Sequence, residues 1–256
     1  MAEAEINGIA VHYEDSGTGP AIFLTHGYAA AGAMWEPQRT PLNEAGYRLV
    51  SWDMRGHGET DSPDDLAQYS EALTIADMAA LMDTLGIEKA VVGGLSLGGF
   101  MSLAFQLAHP ERVRALLLCD TGPGYRSDEA RAKWNRMAER SAVNFEEKGL
   151  DAAGHSPEVQ AAVKHHKSAA GLVHSARGML AQVDSRVIDH LPEIDVATLI
   201  IVGEKDEPYY DASRYMQSKI PGAQLEMIPD AGHAANMDQP EAFNRVVLQF
   251  LTSLPD

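Results

Sequence analysis

Short apolar runs rich in valine, isoleucine and leucine recur along this chain between longer amphipathic stretches, and that alternation constrains the fold more than any other feature. A strand covered on both faces reads as a continuous apolar run, and parallel neighbours need a connection long enough to hold a helix. The pattern therefore predicts an α/β fold, with a mostly parallel twisted central sheet and helices on both of its faces. Strands are expected near Ile9–Asp15, Ala21–Thr25, Arg48–Asp53, Ala90–Gly93, Val113–Cys119, Thr198–Val202 and Gln224–Ile228. Helices are expected near Met34–Ala45, Thr74–Leu85, Leu97–His109, Asp211–Lys219 and Pro240–Leu251. In the second of these, Ile75, Met78, Ala79, Met82 and Leu85 fall on one stripe, Asp77 and Asp83 are expected to point away, and Gly86 ends the helix as a left-handed cap.

Between Thr121 and Leu191 the strand signal stops, and helix formers take over with Trp134, Met137 and Phe145 among charged residues. Residues 121–191 are accordingly expected to form a helical cap insertion, and residues 1–120 and 192–256 one core domain. At 256 residues and 45% hydrophobic composition, the chain can bury a core large enough for one catalytic domain.

Charge narrows the partners. With 37 acidic against 20 basic side chains, the formal charge of −17 repels phosphate backbones and anionic lipid, so nucleic acid and membrane are not expected partners. No run approaches the roughly 20 apolar residues of a membrane helix. The opening Met1-Ala2-Glu3-Ala4-Glu5 also lacks the basic-then-apolar order of a secretory signal. Cys119 is alone and ends an apolar run, which predicts a packed, unreactive thiol. A cytoplasmic location follows as the expectation, and the oligomeric state stays open.

The strongest chemical signal is Gly94-Leu95-Ser96-Leu97-Gly98, which joins the apolar run Ala90-Val91-Val92 to the helical pattern around Phe100, Met101 and Leu103. A serine on a sharp strand-to-helix turn has its hydroxyl exposed, and glycine neighbours let strand and helix approach without a clash at Cβ. The helix start also places a favourable dipole beside a developing oxyanion. A second piece, His26-Gly27-Tyr28, follows the strand Ile22-Phe23-Leu24; its glycine lets the chain turn so that the Tyr28 N–H, together with that of Leu97, forms a two-donor oxyanion hole.

Of the ten histidines, His233 in Asp230-Ala231-Gly232-His233 lies on a loop after the last expected strand and before a helix begun by Pro240. His26 is expected to support the oxyanion turn, and His57 lies in the turn Asp53-Met54-Arg55-Gly56-His57-Gly58. His155, His165, His166 and His174 are read as solvated cap positions, since no His/Asp/Glu spacing matches a zinc site, and no metal is expected. Two acids, Asp206 and Asp120, each end an expected strand and could orient His233.

Taken together, His26-Gly27, Asp53 to Gly58, Gly94 to Gly99, His109-Pro110-Glu111-Arg112-Val113, Gly203 to Asp206 and Gly232-His233 resemble the α/β-hydrolase superfamily, especially its compact capped members such as small carboxylesterases and 3-oxoadipate enol-lactonases. The resemblance implies Asp206 as the acid, because the turn after the strand beyond the insertion is the usual acid position. It implies a serine hydrolase acting on carboxylic esters through Ser96, His233 and Asp206 and an acyl-enzyme, with no cofactor. A lactonase or a carbon–carbon bond hydrolase is the alternative within the fold. Ser96 stands where epoxide hydrolases and haloalkane dehalogenases carry a carboxylate, and Leu95 stands where the carbon–carbon bond hydrolases usually carry Asn. A ligand receptor built on the same pocket is the alternative of another class. Residues expected to line the substrate pocket are His26, Trp35, Leu95, Phe100, Trp134 and Met179, and a small-molecule ester or lactone is the expected partner.

Overall fold

The computed structural model describes residues 2–255. Its strands are β1 (Ala2–Ile6), β2 (Ile9–Ser16), β3 (Ala21–Thr25), β4 (Arg48–Trp52), β5 (Ala90–Leu95), β6 (Val113–Cys119), β7 (Ala197–Gly203) and β8 (Gln224–Ile228). They form one sheet in the order β1-β2-β4-β3-β5-β6-β7-β8. The pairs β1–β2 and β2–β4 are antiparallel and all others parallel, as a chain of βαβ crossovers requires.

Alternation along the central strands splits the core in two. Phe23, Val50, Val92, Leu116, Leu118 and Ile200 face helices α2 (Glu71–Thr84), α3 (Leu97–Ala108) and α8 (Tyr210–Lys219). Ile22, Leu24, Leu49, Val91, Leu117 and Ile201 face α1 (Glu36–Glu44), α9 (Ala235–Asp238) and α10 (Pro240–Ser253). Burial of both faces is the physical reason these strands read as unbroken apolar runs. Cys119 is fully buried, and burial pushes its thiol well above the usual range.

Two features depart from the sequence expectations. Strand β1 was not expected, because Ala2-Glu3-Ala4-Glu5 carries weak strand propensity. It forms through the tight turn at Asn7 and Gly8, with φ of 47° and 82°, and the Asn-Gly pair was the available signal. Asp77 does not point away from the core. It is buried and accepts from Arg55 Nε at 2.5 Å and Nη2 at 2.9 Å, with Asn7 Nδ2 donating at 2.9 Å. Helix periodicity sets Asp77 off the apolar stripe, and only the incoming Arg55 turn gives it a reason to be inside.

Between β6 and β7 the chain is helical: α4 (Asp128–Lys148), α5 (Pro157–Ala162), α6 (Ala169–Ser175) and α7 (Arg186–His190). Ser127 caps α4 by accepting from Ala130 N. Ala142, Phe145, Val159, Leu172, Val173 and Ala176 form their own apolar cluster, which closes on Ala29 beyond the end of β3. No helix among the described residues is long and apolar enough to cross a membrane.

Candidate active site

In an open parallel sheet the loops beyond the carboxyl ends of the strands converge, and here they do so on the side of the helical segment. From β5 the chain turns through Ser96 straight into α3, with Ser96 at φ 53° and ψ −113°. A residue in this region is strained by about 1–3 kcal/mol and persists only when its surroundings fix it. They do so on both sides: Ser96 N donates to Cys119 O at 3.0 Å, and Thr121 Oγ1 donates to Ser96 O at 2.6 Å. Glycine is obligatory at the flanks, because a Cβ on Gly94 would lie 2.5 Å from Gly98 C and one on Gly98 would lie 2.3 Å from Thr25 O.

The loops after β7 and β8 carry the acid and the histidine. Lys205 N donates to Ala231 O at 2.7 Å, which ties the two loops together. His233 Nδ1 lies 2.7 Å from Asp206 Oδ2, so the carboxylate holds the proton on Nδ1 and leaves Nε2 as the basic nitrogen. Tyr209, one turn beyond Asp206, meets both other groups: its ring centroid is 4.9 Å from that of His233, and its hydroxyl is 3.5 Å from Ser96 Oγ. That contact is the hydrogen bond of the Ser96 side chain among the described residues. Burial raises the Tyr209 phenol, with the hydrogen bond to Ser96 acting against it.

Among the described residues Asp120, the other candidate acid, makes no hydrogen bond to the imidazole, which is held by Asp206. Asp120 Oδ1 accepts from Gly203 N at 2.7 Å, and it shares with Asp206 and His233 a cluster whose ligand-type atoms lie within 4.8 Å of one another. Hydrogen bonds within the protein already engage all three residues.

The turn after β3 stands against Ser96: a Cβ on Gly27 would lie 3.6 Å from Ser96 Cβ. His26 braces this turn and is wholly buried, donating from Nδ1 to Gly27 O at 2.7 Å and accepting at Nε2 from Met54 N at 3.0 Å. Burial pushes its pKa down to about 3, partly opposed by the Gly27 carbonyl and assisted by His166. The Tyr28 ring stands edge-on to His57 and Phe145, and its hydroxyl donates to Leu172 O at 3.0 Å, so this turn also seats the helical segment.

His166 departs from its expected solvated position. It is buried, accepting at Nδ1 from Gly58 N at 2.9 Å and donating from Nε2 to Ala29 O at 2.9 Å, because α5 and the chain after it settle on two core turns. Burial also drives His57 well below its ordinary range, reinforced by His26 and His166. His155 is exposed, His165 reaches Glu59 at 3.1 Å, and His174 stacks near Tyr69.

A cavity of about 100 Å³ opens on Ser96. Leu97 and Phe100 wall it from the elbow, Thr121 and Tyr125 from the loop after β6, Trp134, Leu180 and Gln182 from the helical segment, and Pro208 and Tyr209 from the acid loop. Of the residues expected there, Phe100 and Trp134 line it. Leu95 and Trp35 lie instead in the core against α1 and α10, Met179 is packed in the opposite core, and His26 is the brace just described. Apolar character alone could not separate wall from core. Tyr209, Tyr125 and Gln182 were not foreseen, although the nearness of Tyr209 to Asp206 in sequence was a usable signal.

Comparison with known proteins agrees with this architecture. A Bacillus subtilis (strain 168) protein provisionally assigned as a 2-succinyl-6-hydroxy-2,4-cyclohexadiene-1-carboxylate synthase is 29% identical over 96% of this chain and 95% of its own. Among solved structures, a thermophilic esterase from Thermogutta terrifontis, malate bound, superposes with a TM-score of 0.81 at 29% identity, over 99% of this chain and 98% of its own. The enol-lactonase from Burkholderia xenovorans LB400 does so with a TM-score of 0.79 at 27% identity, over 98% and 100%. Residues 22–246 match the alpha/beta hydrolase family itself, a span that takes in the elbow, the helical segment and the histidine loop. By that match this chain belongs to the alpha/beta hydrolase family.

Proposed function

We propose that the chain is a serine hydrolase that cleaves small carboxylic esters, with Ser96 as nucleophile, His233 as general base and Asp206 as the group that orients the imidazole. The observation that carries this reading is the 2.7 Å bond from His233 to Asp206, with Tyr209 in contact both with that imidazole and with a serine held in a strained strand-to-helix turn at the cavity. In the reaction the Ser96 hydroxyl leaves its contact with Tyr209 and donates to His233 Nε2, a shift of the kind expected when a resting site engages substrate. Oγ attacks the ester carbon as Nε2 takes its proton, and the N–H groups of Tyr28 and Leu97 hold the oxyanion. Collapse expels the alcohol with that proton. Water, deprotonated by the same nitrogen, then cleaves the acyl-enzyme and restores Ser96.

Cavity size and lining support the substrate class. A cavity of about 100 Å³ is small, which suits a short acyl group. Its walls carry no lysine or arginine, so nothing in them compensates a substrate carboxylate. Likeness to an enol-lactonase makes small lactones the second substrates to try.

The test is a panel of p-nitrophenyl esters of increasing acyl length and of simple lactones, run with and without a serine-directed phosphonate. Multiple turnover favouring short acyl groups, with one phosphonate adduct on Ser96 by mass spectrometry, is the expected result. Absence of turnover with an unlabelled Ser96 would replace the enzyme reading with that of a receptor or scaffold.

A further inference from the structure

Close to the Asp206–His233 pair lies an acid for which the reaction above has no use. Asp120 has a fully buried side chain, and its backbone is fixed at φ 44° by a 2.8 Å bond from its own N–H to Ile201 O. Its Oδ1 accepts from Gly203 N at 2.7 Å, at the start of the loop that carries Asp206. Its Oδ2 is buried and, among the described residues, has no hydrogen-bond partner. The Asp120 and Asp206 carboxyl groups each bring an oxygen to within 4.8 Å of the other. Among the described residues, His233 is the one basic side chain that reaches Asp206, and no lysine or arginine ion pair reaches either acid.

Two carboxylates this close in a buried site do not both ionise, because their repulsion is barely screened there and neither is well solvated. One proton must be shared, and the geometry decides where it sits. Asp206 accepts from the imidazole N–H and therefore needs its lone pairs. Asp120 Oδ2 is an orphan if it is an acceptor and is satisfied if it is a donor. Burial, joined by the nearby Asp206 and opposed by the Gly203 and Ala235 N–H groups, raises the Asp120 carboxyl well above the usual carboxylate range.

We propose that Asp120 is a neutral carboxylic acid that donates a hydrogen bond to the Asp206 carboxylate, making it a positioning residue for the Asp206–His233 pair. Through Oδ1 it holds the Asp206 loop, and through Oδ2–H it fixes the rotation of the carboxylate. The proton stays on Asp120 throughout turnover. The pair thus carries one negative charge, which suffices to orient the imidazole through its Nδ1–H. The groups facing His233 in this account are Asp206, Asp120 and the ring of Tyr209.

The consequence for rate rests on the serine-hydrolase reading, whereas the protonation state does not, so it is measured first and without turnover. Infrared difference spectra of the full chain at pH 8, where ordinary carboxyl groups are ionised, should show the C=O stretch of a protonated carboxylic acid. That band should vanish in Asp120→Asn and persist in Asp53→Asn, the control for another buried acid. A wild-type spectrum without such a band, or a band unaffected by Asp120→Asn, overturns the proposal. In the ester assay, Asp120→Leu should lower kcat by about 10- to 100-fold with little change in KM. Asp120→Asn, which keeps an acceptor for Gly203 and a donor for Asp206, should restore the rate to within about 3-fold. The acid limb of its pH–rate profile should coincide with that of the wild type, because no charge has been removed. A limb displaced downward by about one unit or more would mean that Asp120 was ionised and would sink the proposal. If the wild type hydrolyses no ester at all, the function reading fails while the infrared band still decides the state of Asp120.

Discussion

At the scale of single residues, Ser96 combines a strained backbone with a lightly attached side chain. Its hydroxyl touches Tyr209 at 3.5 Å and contributes little to packing, so Ser96→Ala should change stability by less than about 1 kcal/mol in urea unfolding. The same substitution should cut kcat by on the order of 10⁴-fold or more, and a variant that retains turnover would remove Ser96 from the mechanism. Asp206→Asn should cost about 10³- to 10⁴-fold in kcat, because an amide facing Nδ1 no longer holds the proton there and the imidazole loses its tautomer. An effect below about 10-fold in steady-state kinetics would shift the orienting role away from Asp206.

Elements are joined here by buried polar contacts, and these make sharper predictions than the apolar core. The Arg55–Asp77 pair, with both side chains buried, fastens α2 to the turn after β4. Replacing Asp77 by Ala leaves the guanidinium uncompensated and should destabilise the fold by about 3–5 kcal/mol in chemical denaturation. Histidines 26, 57 and 166 join the turns after β3 and β4 to the helical segment, with ring centroids 4.9 Å and 6.1 Å apart along the row. All three are held neutral, with pKa values depressed from 6.5, to about 3 in the case of His26. The unfolded chain therefore binds more protons below about pH 6.5, and their stabilising contribution, complete above that pH, is lost as the pH falls toward the folded values. Each contributes up to about 1.4 kcal/mol per pH unit. The buried Asp53 and Asp120, whose pKa values are raised by burial, act in the opposite sense and soften the slope. Urea midpoints should fall between pH 7 and 5, and fall less steeply in His166→Gln; an equal slope in the two proteins would show that His166 is not held neutral.

For the molecule as a whole, the charge of −17 is a self-repulsion that the fold must carry. It extends over a Debye length of about 10 Å at 0.1 M salt, so raising sodium chloride from about 10 to 300 mM should raise Tm toward a plateau. A flat or falling Tm in calorimetry would mean that local ion pairs outweigh the net charge.

Much of this molecule was legible because the relevant physics is local. Strand runs, helix stripes and the Gly94–Gly98 elbow depend on neighbours a few positions apart, and they placed the sheet, the serine and the two candidate acids in order along the chain. Other features depend on which distant loops meet. Strands β6 and β7 are adjacent in the sheet, so Asp120 and Asp206 arrive at one place, and only the register between those strands sets Asp206 rather than Asp120 against His233. The same holds for His166, whose partners Gly58 and Ala29 lie more than a hundred positions away, and for the division of the apolar residues into core and cavity wall. The sequence by itself determined the α/β architecture and the chemical groups available, since periodicity and turn chemistry act within one segment. Only the tertiary structure decided which acid holds the imidazole, which histidines are dry and which aromatic rings face the serine, because burial and hydrogen bonding between remote segments are properties of the packed chain.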